Sequence, residues 1–254
     1  MGRLVRRTRP FTEAREHAPD PDVDGPRCRT VSRARVALPR ATAAGRAIHR
    51  GFGRFDADCI AFSHESATTI TPADFNRDGF TDLVVPNRDG GQSHVYLHTG
   101  NAGAPEFTRV PFGPPDATIR MAEVADLDAD GQLDIVSVDG GGVTLFFGEP
   151  NGTFSAGVPV GGRTNAPYAL AVADLNHDGR MDLVVGNVEA RSVVLFNDGT
   201  GRHFTPVPFG DDRGTVYGFA IGDLDKDGHL DIVAARSEAP NVVYFAVPPA
   251  GRAP

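Results

Sequence analysis

Four nine-residue stretches gather acidic side chains at a fixed spacing: Asp74 to Asp82 (DFNRDGFTD), Asp126 to Asp134 (DLDADGQLD), Asp174 to Asp182 (DLNHDGRMD) and Asp223 to Asp231 (DLDKDGHLD). In each, an Asp or Asn stands at positions one, three and five, a glycine at six and an Asp at nine. That pattern suits a hard divalent cation. Calcium takes six to eight oxygens at about 2.3–2.6 Å, and a short loop wraps it when alternate side chains point inward and a glycine allows the sharp turn. The ligand set read from the first loop is Asp74, Asn76, Asp78, the Phe80 carbonyl and Asp82. The second offers Asp126, Asp128, Asp130, the Gln132 carbonyl and Asp134; the third Asp174, Asn176, Asp178, the Arg180 carbonyl and Asp182. The fourth offers Asp223, Asp225, Asp227, the His229 carbonyl and Asp231. The expected cofactor is calcium, about four ions in all.

A single D-x-N-x-D-G run is also what an Asx-rich turn between strands looks like. Four in phase, each closing on Asp, are harder to explain without a cation, because three or four carboxylates packed into nine residues repel one another. No His or Cys stands at a side-chain ligand position, so zinc is disfavoured. An EF-hand loop would place a bidentate Glu at position twelve, where this chain has Val85, Ser137, Val185 and Ala234. The loops are therefore expected between strands rather than between helices.

The elements around them support that. The loops begin 52, 48 and 49 residues apart. Each follows a short alternating run (TTITPA, RMAEVA, YALAVA, YGFAIG) and precedes an apolar one (LVVP, IVSV, LVVG, IVAA), after which come a turn and a third run (HVYLH, VTLFF, VVLFN, VVYFA). In the first three units a fourth strand-like segment is expected around Phe107, Phe154 or Phe204. Short runs rich in Val, Ile, Leu and Phe between turn formers are strands. Four of them recurring every ~50 residues predict an all-β fold of four-stranded blades, a β-propeller.

The ADLxxDGxxDLVV-type stretches, with PADFNRDGFTDLVV the most divergent, resemble the FG-GAP and VCBS-like repeats of calcium-binding propellers, including the integrin-alpha head. VVLFNDGTGRHF and LFFGEPNGTF match the outer-strand pattern of those repeats. The resemblance covers residues 51–247 and implies calcium in the loops. Propellers of this kind are usually seven-bladed, whereas four loops stand here. Two ways of completing the ring follow. Gly51 to Ser63 could supply the outer strand missing from the last unit, which stops at Pro248, or the four blades could belong to a larger propeller, open or completed by another chain.

Residues 1–50 form an Arg-, Pro- and Ala-rich segment without periodicity, expected to be disordered; residues 248–254 are a short tail. Arg6-Arg7 lacks the uninterrupted apolar stretch of an export signal. Cys28 and Cys59 could pair or stay free. The first 54 residues hold 13 Arg and 5 acids, leaving 12 basic and 28 acidic residues in the remaining 200. The acidic balance argues against nucleic acid, and no apolar run approaches the ~20 residues of a membrane span. Fourteen of those 28 acids lie in the loops, so four calcium ions would bring the formal charge of −8 to about zero. The case against nucleic acid is then weaker.

Six residues before each loop stand Thr68, Arg120, Tyr168 and Tyr217, an aligned column that varies among repeats, on the face opposite the loops. The turns Asn87 to Gln92, Asn187 to Ser192 and Arg236 to Asn241 share that face. Arg120, Tyr168, Tyr217 and Arg236 are the candidate ligand residues, with solvated strand ends as the plain alternative. A binding or scaffolding module for protein or carbohydrate is favoured over a calcium-dependent polysaccharide lyase, because the tyrosines are expected away from the metals and no catalytic Ser-His-Asp or Cys-His pattern is present. Loops of this type bind calcium with Kd of about 10⁻⁴–10⁻³ M outside cells. The expected setting is extracellular or at the cell surface, although no signal peptide is visible.

Overall fold

The structure is a computed structural model that describes residues 29–30, 60–101, 105–162 and 166–247. The chain divides into two units, residues 1–62 and 63–254. In the first, β1 (Arg29–Thr30) pairs in parallel with β2 (Ile60–Ala61). Both cysteines, the rest of the segment read as disordered, and the tail lie outside the described residues.

The second unit contains four antiparallel sheets in chain order. Sheet 1 is β3 (Thr71–Ala73), β4 (Asp82–Val85), β5 (Ser93–His98) and β6 (Phe107–Phe112). Sheet 2 is β7 (Met121–Ala125), β8 (Asp134–Asp139), β9 (Gly142–Phe146) and β10 (Val158–Val160). Sheet 3 is β11 (Pro167–Ala173), β12 (Asp182–Asn187), β13 (Ser192–Asn197) and β14 (Phe204–Phe209). Sheet 4 has β15 (Thr215–Gly222), β16 (Asp231–Ser237) and β17 (Val242–Tyr244).

The second strands of sheets 2 and 3, β8 and β12, read as unbroken apolar runs because both their faces are covered, unlike strands that show one face to water. Leu183, Val184 and Val185 of β12 are all fully buried. Leu183 faces sheet 2 with Leu145 and Val136, whereas Val184 faces sheet 4 with Ile232. Between sheets 1 and 2 the core is Val84, Val95 and Phe112 against Ala122, Ile135 and Phe146. Each sheet therefore packs on the next, and each acidic loop connects the first strand of a sheet to its second.

One expectation changes. Phe107 and Phe204 open outer strands, but Phe154 makes only an isolated bridge to Gly148, and the outer strand of sheet 2 begins at Val158. The Glu149 to Gly152 turn and the Ser155 hydroxyl, which accepts from the Phe147 N–H at 2.9 Å, occupy the intervening backbone. Residues 51–59 of the stretch read as one of two possible sources of an outer strand for sheet 4 lie outside the described residues, and among the described residues nothing pairs with the outer edge of β17.

Candidate metal loops and the opposite face

The four loops share one backbone conformation. Position four is left-handed in each, with φ of 58° at Arg77, 60° at Ala129, 56° at His177 and 64° at Lys226. The glycine at six follows with φ of 83°, 87°, 83° and 89°. Left-handed backbone costs a side-chain-bearing residue about 1–2 kcal/mol, so a position held there four times is set by the rest of the loop.

That setting is a web of side chain to backbone bonds. In the third loop Asp174 Oδ1 accepts from the Asp178 N–H at 3.0 Å and its Oδ2 from Gly179 at 2.9 Å, while Asn176 Oδ1 accepts from Asp178 at 3.1 Å. Loops 1 and 4 repeat these bonds through Asp74, Asn76 and Asp78, and through Asp223, Asp225 and Asp227. Position five caps position seven: Asp78, Asp130, Asp178 and Asp227 accept from the N–H of Phe80, Gln132, Arg180 and His229. Position twelve lies inside the second strand and is buried in all four units, which leaves no room for a helix-flanked loop.

The second and fourth loops have Asp at position three, where the first and third have Asn, and so carry three carboxylates among positions one, three and five. Asp126, Asp128 and Asp130 present carboxylate oxygens all within 4.8 Å of one another, as do Asp223, Asp225 and Asp227. Asp126 Oδ1 is buried and accepts no hydrogen bond, unlike its counterparts Asp74, Asp174 and Asp223, each of which accepts from position five. A buried carboxylate oxygen without a donor is costly unless a cation takes it. The donor set is all oxygen, so the residues fit calcium.

The position-nine Asp does something the spacing did not disclose. Asp82, Asp134, Asp182 and Asp231 are at most 1% exposed. Each takes one N–H from loop position two (Phe75, Leu127, Leu175, Leu224) at 2.8–3.1 Å. The other oxygen takes an N–H just past the paired stretch of the third strand (His98, Gly148, Asn197, Ala246) at 2.8–2.9 Å. This carboxylate braces the loop to the sheet. Burial pushes the Asp134 carboxyl up to about 6 and raises Asp82 and Asp182 in the same direction, against the pull of those bonds. At Asp231, with no further sheet over it, the bonds from Ala246 and Leu224 prevail and hold the carboxyl below its usual range.

Neighbouring loops touch through position four. His177 Nε2 lies 3.0 Å from the Gly228 carbonyl oxygen, and the Arg77 guanidinium lies beside Gly131. A groove of about 390 Å³ opens between loop 1 and the β9–β10 turn, floored by Phe75, Leu97, Val110 and Phe154, with Arg77 at its rim.

On the opposite face three of the four column residues meet. The Arg120 guanidinium carbon sits 4.1 Å from the Tyr168 ring centroid, and the Tyr168 and Tyr217 rings are 4.8 Å apart. Tyr217 is 52% exposed, and Thr68 is exposed as well. Asp174 lies six positions along the chain from Tyr168, roughly 20 Å at ~3.3 Å per residue. Arg236 does not join them. Its side chain is 4% exposed and spent on Asp211 and the Pro240 carbonyl, closing the β16–β17 turn. Sequence reasoning also missed a buried polar cluster on sheet 1, where Glu65 accepts from the Tyr96 hydroxyl at 2.7 Å and pairs with His94 Nδ1 at 2.8 Å. No repeat partner marks Glu65, so periodicity could not have found it.

The family comparison agrees with this architecture. The FG-GAP-like repeat model matches residues 74–137, 126–185 and 178–234. No curated protein sequence matches. Among solved structures, BBS1N in complex with ARL6DN is similar at 13% identity and a TM-score of 0.48, over 70% of this chain and 53% of that one. An Agrocybe aegerita lectin that recognises non-reducing terminal N-acetylglucosamine is similar at 20% identity and a TM-score of 0.48, over 66% and 48%. The V. cholerae biofilm matrix protein Bap1 gives 16% identity and a TM-score of 0.32, over 65% and 34%. The chain thus spans about half the length of the first two and a third of the last. With three overlapping matches that run from Asp74 to Ala234, the chain belongs to the FG-GAP-like repeat family.

Proposed function

We propose that this chain is a calcium-stabilised interaction module. Each acidic loop would hold one calcium ion through positions one, three and five and the position-seven carbonyl, with position nine contributing from the strand it braces. The observation that carries the reading is Asp126 Oδ1, buried without a donor among the convergent carboxylates of Asp126, Asp128 and Asp130. Bound calcium supplies positive charge and oxygen cross-links. The chain itself supplies the preformed loop, held by its own backbone bonds.

The ligand face is the Arg120, Tyr168 and Tyr217 ladder, three side chains from adjacent first strands. Tyr and Arg dominate binding surfaces because they combine apolar area with a polar end. A protein or carbohydrate partner fits that chemistry. The separation of the tyrosines from the loops favours a binding module over a metal-assisted lyase. At millimolar calcium and a Kd of about 10⁻⁴–10⁻³ M, each filled loop adds roughly 0.4–1.4 kcal/mol, which suits a working protein outside the cell or at its surface. Calorimetric titration tests the metal assignment: about four sites are expected, and heats indistinguishable from dilution would reject it.

A further inference from the structure

The interfaces between sheets are built from the same repeat positions each time. In the second strand, Val84, Val136 and Val184 are fully buried against the following sheet. Their cross-strand partners Val95, Leu145 and Val194 are 0%, 0% and 6% exposed. At loop position two Leu127 is 2% exposed, and after the third-strand pair Phe147 is 5% exposed.

Sheet 4 carries the same residue types at all of these positions with none of the described residues packed over them. Val233, paired with Val243, is half-buried. Val243 is 41% exposed, Leu224 49% and Phe245 55%. An exposed apolar face of this kind marks an interaction site. Its residues are those that seat one sheet on the next three times within this chain.

Sheet 1 presents the reciprocal face. Ala122, Leu170 and Phe219, four residues before their loops, pack between sheets, and their counterpart Ile70 is 47% exposed. Phe146 and Tyr244 meet an aromatic of the preceding sheet's fourth strand, Phe112 at 5.6 Å and Phe209 at 5.1 Å. Their counterpart Tyr96 is instead covered by Glu65, from the segment before β3. Sheet 4 lacks a fourth strand among the described residues. One end is short of an outer strand, and the other carries its own cover where that strand would lie.

We propose that these two faces join two copies of the chain, sheet 4 of one seated on sheet 1 of the other. Leu224, Val243 and Phe245 of the first copy then meet Ile70 and Leu83 of the second, continuing the packing of the internal interfaces. The contact is head-to-tail, so it closes or extends according to the turn between copies.

The test is sedimentation of the full chain over a wide concentration range at fixed calcium, with variants at each end. The expected result is a mass of at least two chains that falls toward one on dilution, and loss of association in Phe245→Asp, in Val243→Asp and in Ile70→Asp. All three positions are solvent-exposed, and far-UV circular dichroism of each variant checks that the fold is kept. Mixing Ile70→Asp with Phe245→Asp is expected to restore association, because one retains the sheet 4 face and the other the sheet 1 face. A monomer at every concentration overturns the proposal. So does an Ile70→Asp variant that associates as the parent does, since sheet 4 would then be pairing with itself.

Discussion

His177 Nε2 stands 3.0 Å from the Gly228 carbonyl oxygen, so the third acidic loop is hydrogen-bonded to the glycine turn of the fourth. The Arg77 guanidinium of the first loop packs beside Gly131 of the second. Between the second and third loops Ala129 is too short to reach, and Asn197 makes the link instead: its Nδ2 donates to the Leu127 carbonyl of loop 2 at 2.8 Å and to the Met181 carbonyl of loop 3 at 3.2 Å. The loops are thus linked in series rather than standing as four independent sites.

The His177 contact predicts that calcium binding at loops 3 and 4 is coupled. His177→Ala removes one exposed hydrogen bond, worth about 0.5–1.5 kcal/mol. The expected outcome is reduced cooperativity at those two loops with loops 1 and 2 unchanged, read by calorimetry on variants that keep one pair intact. Identical isotherms for His177→Ala and the parent would show that the contact carries no coupling.

Loop positions five and nine are expected to fail differently. Asp134→Ala strands the N–H groups of Leu127 and Gly148, each costing about 1–3 kcal/mol when left unpaired, and lowers stability even in chelator. Asp130→Ala, at an exposed position, costs about 1 kcal/mol in chelator and removes the calcium-dependent gain of its loop. Denaturant unfolding of both variants, with and without calcium, separates brace from ligand. Equal losses in chelator would contradict the division.

The Asp134 carboxyl also sets a pH dependence. Its folded value of about 6 lies above the ordinary 3.8, so the folded state holds the proton more tightly than the unfolded chain. Without metal, the contribution of this group to stability grows as pH falls from about 7 toward 4, by up to ~3 kcal/mol at about 1.4 kcal/mol per pH unit. In chelator the parent should gain on Asp134→Asn over that window. With calcium the sign reverses, because protons compete with the ion. Parallel pH profiles for parent and variant in chelator would remove the buried carboxyl from the account.

The face opposite the loops makes a separate prediction. Tyr217→Ala exposes little new core, since Tyr217 is already 52% exposed, and stability should change by less than about 1 kcal/mol. Any glycan found to bind on an array should lose about tenfold or more in affinity for Tyr217→Ala and for Arg120→Ala. Undiminished binding in both variants would move the ligand off this ladder.

Much of this was legible in the residues. Asp, Asn and Gly at fixed offsets disclosed the loops, and the apolar runs around them disclosed the strands, because both are local patterns repeated four times. The Arg120–Tyr168–Tyr217 column was visible as an alignment, and packing of adjacent first strands turned it into contact. What stayed hidden depends on tertiary neighbours. Arg236 looked free until Asp211, 25 residues upstream, was found to hold it. Phe154 looked like a strand start until Ser155 took the Phe147 N–H. That the position-nine Asp also braces its loop to the sheet was not visible, because its partners are backbone N–H groups that carry no side-chain signature.

The central claim is that the loops are calcium sites, and thermal unfolding measures it most directly. Millimolar calcium should raise the midpoint relative to chelator by several degrees, and Asp126→Asn, Asp128→Asn and Asp130→Asn combined should lose the part of that gain due to the second loop. A midpoint that is the same in calcium and in chelator would contradict the account.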